Sequence, residues 1–288
     1  MIVIKLHGGL GNQLFQYAFG RAMAHRLDTE LRFDVSFFAH HSQRSYGLSM
    51  FQAEAREATL SDVEQVCGNF GRWYFSPNLY AQRFRRHLGK YHILPHYVSE
   101  TGFDATFRPQ NQSFYEGYWQ NPHYFEAIET LLRHDLRFQT ALNDHSQPLL
   151  NHIENTNSVC LHVRRGDYLH LERYVVLPVF YYQNALKYLQ KSEVNLTIFV
   201  FSDDVAWCKK NLNLQVATVF VENVVNLRDE FELMCRCKHH IIANSTLSWW
   251  AAWLCSNPTK TVIAPQKWFN DHTNIQSLLP SGWIQIPN

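Results

Sequence analysis

The chain has 288 residues, 46% of them hydrophobic and 18% charged. That is enough apolar material for a sizeable core and excludes intrinsic disorder. Twenty-six Lys and Arg against 25 Asp and Glu leave a formal charge of +1 and a pI near 7.7, which speaks against a general nucleic-acid binder, whose domains usually have a pI above about 9.

At roughly 100–200 residues per domain the length predicts two domains. The first apolar run, residues 2–7, predicts a strand that ends in Gly8-Gly9-Leu10-Gly11. It is shorter than the roughly 7–15 apolar residues of a secretory signal, and no run approaches the roughly 20 of a membrane span. The expectation is a cytoplasmic protein without a transmembrane segment. Asn12 is expected to cap a helix through Leu27, and residues 30–35 give a second strand, completing a βαβ unit. The glycines let the backbone approach a ligand closely. They do not form G-x-G-x-x-G, so no dinucleotide fingerprint is present.

Further along, Ser61-x-x-Glu64 reads as a capping box and Asn121-Pro122 as another helix start. Between them residues 67–112 are aromatic, basic and poorly periodic. Their run Arg83, Arg85, Arg86, His87 and Lys90 reads as a solvated face, or alternatively as a peripheral contact with an anionic membrane surface or substrate. The polar stretch 143–157, with Pro148, sets the expected boundary between domains 1–150 and 151–288.

The second half has a clearer pattern. Short β-branched runs at 158–163, 197–201, 216–221, 240–243 and 261–264 predict strands. Helices are predicted between them, opened by Pro178, then at 205–212, at 227–237 with Asn226 as cap, and at 246–255. This alternation predicts a doubly wound α/β domain with five parallel strands covered on both faces. Ligands bind outside the carboxyl ends of such strands. Those ends carry Arg164-Arg165-Gly166-Asp167, Ser202-Asp203-Asp204, Glu222-Asn223 and Asn244-Ser245-Thr246.

Adjacent arginines are costly to bury unpaired, and a planar guanidinium forks onto two phosphate oxygens. The pair therefore suits a diphosphate, the alternative being that Asp167 simply salt-bridges one of them. Asp203 and Asp204 could hold Mg²⁺ beside phosphates. Equally, one carboxylate could accept guanine N1–H and N2–H₂ while Asp204 caps the next helix. Ser245 and Thr246 open a helix whose free N–H groups make an anion site. Trp249, Trp250 and Trp253, at helical spacing, read as core. Cys235 and Cys237 stand two apart, on different faces of a helix, so a shared metal ion with His239 and His240 is not expected. The six cysteines read as reduced, buried hydrophobes.

Four segments together carry a resemblance: GGLGNQLFQYAFGRAMA at 8–24, GYWQNPHYF at 117–125, HVRRGDY at 162–168 and ANSTLSWWAAWL at 243–254. In that order they resemble the α1,2-fucosyltransferases of glycosyltransferase family 11. The resemblance implies a GT-B architecture, with two Rossmann-like domains facing each other across a cleft. It also implies a GDP-β-L-fucose donor, inversion at C1, no required metal or other cofactor, and a galactose-terminated oligosaccharide acceptor attacked at its 2-hydroxyl. The α1,6- and protein O-fucosyltransferases share the H-x-R-R core. By that similarity Arg164 should grip the β-phosphate, Arg165 support the nucleotide, and His162 lie near guanine or ribose. Asp203 should read guanine, Ser245 and Thr246 bind phosphate, and Gly11 and Asn12 approach the pyrophosphate and fucose from the opposite domain. Glu172 stands ten residues after His162, where the α1,6 enzymes place a proposed base, and Asp167 lies closer to the phosphates. The rival readings are a glycan-binding lectin and a transferase that uses another GDP-sugar, such as GDP-mannose.

Overall fold

The opening apolar run forms β1 (Ile2–Lys5), buried at all four positions, in a computed structural model that describes every residue except 41–43, 75, 77, 90–92, 95, 101, 272, 274 and 276. Gly8, at φ 82°, turns the chain into α1 (Leu10–Leu27). The N-cap is Gly9, without a side-chain cap, and Asn12 lies inside the first turn. The expected Asn12 cap is therefore corrected: the left-handed turn at Gly8 starts the helix earlier.

Next come β2 (Leu31–Asp34), α2 (Leu60–Cys67), α3 (Gly71–Tyr74), α4 (Leu79–Gly89), β3 (Tyr97–Ser99), β4 (Ser113–Glu116) and α5 (Glu129–Asp135). The capping box of α2 sits two residues earlier than expected. Thr59 accepts from the Asp62 N–H while the Asp62 carboxylate accepts from the Thr59 N–H. Asn121 caps only a 3₁₀ turn over Pro122–Tyr124. The four strands pair in the order β2-β1-β4-β3, all parallel.

The basic run is only partly a solvated face. Arg85 is fully buried with its guanidinium 3.4 Å from Glu116, and Arg86 binds the other Glu116 oxygen at 2.7 Å. Tyr97 donates to the same carboxylate at 2.9 Å. These arginines neutralise a buried strand-end charge, whereas Arg83 and His87 are exposed. Lys90 lies outside the described residues.

The chain divides into two compact units, Met1–Gln139 and Thr140–Asn288. The division precedes the expected one at 150 because 143–157 is not a linker. Pro148 stands in the first turn of α6 (Gln147–Glu154), which buries Leu150 and Ile153 and packs within the second unit.

After α6 the alternation runs β5 (Asn157–Val163), α7 (Val179–Leu189), β6 (Leu196–Ser202), α8 (Val205–Asn211), β7 (Ala217–Phe220) and α9 (Leu227–Arg236). It continues through β8 (His239–Ile241), α10 (Thr246–Leu254), β9 (Val262–Pro265) and β10 (Ile284–Ile286). All six strands are parallel, ordered β10-β9-β8-β5-β6-β7. The sequence pattern gave five of them; β10 is only three residues long.

One face of this sheet packs Val159, Leu161 and Val163 against Tyr181, Ala185 and Leu186 of α7. On α10, Trp249 and Trp250 are fully buried, as core residues should be. All six cysteines are free and buried. Among the described residues no helix is long and apolar enough to cross a membrane.

Candidate functional site

The chain leaves β5 toward β6 and β7 and later returns to lay β8 on its other side. The topological switch point of the second sheet therefore falls between β5 and β8. This is where an open parallel sheet takes its ligand. The register Val163↔Ser202 sets the residues after β5 beside those after β6.

Arg164 forks there onto two carboxylates, Asp167 at 2.7 Å and Asp203 at 2.9 Å. Its guanidinium lies 5.5 Å from the Tyr168 ring centroid. The salt bridge to Asp167, held open as an alternative, is present. Arg165 donates its backbone N–H to the other Asp203 oxygen at 2.9 Å. Its guanidinium stacks on Trp207 at 3.8 Å and reaches Asp204 at 3.4 Å. Asp204 also accepts from the Trp207 N–H and so caps α8. Gly166 permits this close packing, since a Cβ there would lie 2.6 Å from Asp203 Oδ2.

His162, the last-but-one residue of β5, is 4% exposed, and its Nδ1 has no hydrogen-bond partner among the described residues. Burial, reinforced by Arg164, pushes its pKa down to about 3, so the ring is neutral near pH 7. On the other side of the switch point, Asn244 spans two loops by donating to the Val175 and Trp268 carbonyls. Tyr168 donates to the Asn244 carbonyl at 3.0 Å, tying the arginine loop to the start of α10. Ser245 is the N-cap of α10 without a side-chain cap bond, and Thr246 is the first helical residue. The first-turn N–H groups of such a helix lack intrahelical partners.

Not every expected residue joins this cluster. Glu172 is exposed, and Asn270 donates to its backbone carbonyl at 2.8 Å. Among the described residues its carboxylate pairs with neither Arg164 nor Arg165. Gly11 and Asn12 belong to the first unit, where Asn12 Oδ1 accepts from Gln120 at 2.9 Å. One residue was missed. Glu230, in the first turn of α9, has its pKa raised by burial and by Asp203, with Arg164 opposing, which places it within electrostatic reach of both. A glutamate in a helix's first turn reads as a dipole partner. Its only other signal was that α9 follows the strand-end pair Glu222-Asn223. Among the described residues no group of three or more His, Cys, Asp or Glu side chains is placed to hold a metal ion.

The arrangement has the chemistry of an anion site. Two arginines and the start of α10 lie at one switch point, and Arg164 is partly exposed. A parallel α/β unit with two arginines at the switch point of its sheet has the edge where such folds take their ligands, and the first unit adds a second parallel sheet. Residues 87–287 match the profile of Glycosyl transferase family 11, and the chain belongs to that family.

It is similar to an α-1,2-colitosyltransferase of Escherichia coli, with 30% identity over 99% of both chains. It is also similar to the O-antigen biosynthesis glycosyltransferase WbnK of Escherichia coli, with 32% identity over 98% of this chain and 99% of the other. Among solved structures it is similar to the fucosyltransferase NodZ from Bradyrhizobium, with a TM-score of 0.52 and 14% identity over 87% of this chain and 91% of that one. At that identity the likeness concerns the fold, which is of the GT-B type, as expected.

Proposed function

We propose that this family 11 glycosyltransferase moves L-fucose from GDP-β-L-fucose to the 2-hydroxyl of a terminal galactose, with inversion. The observation that carries the reading is the Arg164 fork at the switch point, backed by Arg165 and the start of α10. When GDP-fucose binds, its β-phosphate takes the Arg164 contact now made by Asp167, while Asp203 keeps the loop in place. Ser245, Thr246 and the first N–H groups of α10 meet the remaining phosphate oxygens. Asp203 uses one oxygen on Arg164 and the other on the Arg165 N–H. A carboxylate offers about four lone-pair positions, so Asp203 retains capacity for guanine N–H groups. Neutral His162 supplies an uncharged ring nitrogen to the nucleoside.

The galactose oxygen forms a bond to C1 as the C1–O bond to the β-phosphate breaks, and the electron pair leaves with GDP. Fixed arginines stabilise the charge that develops on the leaving phosphate, an effect worth on the order of 10²–10³ in rate for one donor. The acceptor proton passes to a general base, a role assigned to Glu172 with Asp167 as the alternative. No metal or other cofactor is required in this scheme, because the arginines and the helix start neutralise GDP.

A second reading changes only the donor. Colitose is L-fucose without its 3-hydroxyl, and the colitosyltransferase relative favours GDP-colitose. The deciding assay incubates the protein with each donor and lactose in excess EDTA. Release of GDP together with 2′-fucosyllactose is expected. Product from GDP-colitose alone would exchange the donor, complete reversible loss in EDTA would restore a metal role for Asp203 and Asp204, and no GDP release from either donor would leave a glycan-binding protein.

A further inference from the structure

The first sheet also has a switch point, and its carboxyl edge carries groups that the donor chemistry does not use. β1 lies between β2 and β4, so the edge between β1 and β4 is the expected ligand position. The register Ile4↔Tyr115 brings together the residues three further on, His7 and Tyr118. Their ring centroids are 4.6 Å apart with the planes at 40°.

His7 is 5% exposed and is held by one side chain. Gln16 Oε1 accepts from the His7 backbone N–H at 3.0 Å, and Gln16 Nε2 donates to the Gly117 carbonyl at 3.0 Å. These two bonds fix which end of the amide is which. The same Nε2 lies 2.9 Å from His7 Nδ1, so Nδ1 accepts and the ring proton resides on Nε2. Burial, with Arg86 adding to it, pushes the ring's pKa down to about 4, which keeps it neutral near pH 7. The Nε2–H has no protein partner among the described residues and is not sealed from solvent.

Tyr118 is 43% exposed, yet its backbone is fixed on both sides. Its N–H donates to Glu100 at 2.6 Å. The next residue, Trp119, is buried with φ 55° and stacks on Phe19 at 3.9 Å. A large ring is thus left open beside a single N–H donor of fixed tautomer. A galacto-configured pyranose matches that pair, because its C3–H, C4–H and C5–H bonds form one apolar face while its hydroxyls ring the edge.

We infer that His7 and Tyr118 form the subsite for the acceptor's terminal galactose, with Tyr118 as its platform and His7 Nε2–H as donor to one of its hydroxyls. The assignment rests on the transferase reading above, in which the nucleotide is held by the second unit. The fucosyl group of the donor is also galacto-configured, though in the L series, so the experiment separates the two sugars.

Steady-state kinetics of Tyr118→Ala, Tyr118→Phe and His7→Phe are measured with lactose and GDP-fucose varied independently. Tyr118→Ala and His7→Phe should each raise the KM for lactose about tenfold, with the KM for GDP-fucose and the thermal shift induced by GDP held to within about twofold. Tyr118→Phe, which keeps the apolar face, should recover most of the loss. An unchanged lactose KM in both variants, or a raised GDP-fucose KM instead, overturns the subsite. Failure of the unmodified protein to transfer fucose to any galactoside overturns the transferase reading itself, a separate outcome.

Discussion

Arg164 holds two carboxylates at once, and neither partner could be replaced by water without cost in a half-buried loop. A lysine at this position keeps the charge but presents one ammonium where a planar fork is needed. Arg164→Lys should therefore leave the melting temperature within a few degrees while lowering kcat on the order of 10². Turnover within threefold of the unmodified protein would remove Arg164 from the phosphate clamp. At this scale the sequence was most informative where residues of one chemistry cluster at a strand's end, as Arg164, Arg165 and Asp203 do. It was least informative for Glu230, a single carboxyl whose perturbed environment comes from Asp203, 27 positions away in the chain and reached only through the fold. Glu172 shows the reverse. A spacing taken from similarity placed it near the reaction, and among the described residues its carboxylate pairs with neither arginine of the cluster.

Between residues and units stand the elements, and here Asp204 separates structure from chemistry. Its carboxylate caps α8 and meets Arg165. Asp204→Ala removes the cap, at a cost of about 1 kcal/mol of stability, and should reduce the urea midpoint while GDP affinity falls less than it does in Asp203→Asn. The opposite ranking by calorimetric titration with GDP would reassign the two aspartates. Elements of the second unit were legible because each strand is a short apolar run and each helix has its own start signal, Asn226 for α9 among them. The first unit concealed β4. Its four residues are all buried, but it ends in Glu116, and the groups that neutralise that charge, Arg85 and Arg86, lie on α4. Read along the chain, both segments look like solvent-facing sequence. Their polarity cancels only across the fold, where a buried carboxylate is tolerated because it is paired.

At the scale of the whole molecule, buried neutral histidines occur in both units and tie stability to pH. Burial lowers the pKa of His7 from 6.5 to about 4, and those of His162 and His240 from 6.5 to about 3. His239 is lowered as well. Between those values and 6.5 the unfolded chain binds protons that the folded chain refuses, so stability rises with pH across the window and is lost as pH falls through it. Each fully depressed histidine contributes up to about 1.4 kcal/mol per pH unit. Glu100 and Glu230 act in the opposite sense. Their pKa values are raised by burial, so the folded state binds protons more readily than the unfolded chain and gains relative stability on acidification. Four histidines outweigh two carboxyls, and the net slope should be positive from about pH 4.5 to 6.5. Urea midpoints taken at half-unit steps should fall steadily below pH 6.5, with His240→Asn flattening the slope. A midpoint that stays level or climbs from pH 6.5 down to 4.5 would show that these rings exchange protons with solvent in the folded protein. The fixed tautomer of His7, and the neutral state assigned to His162, would then lose their physical basis together.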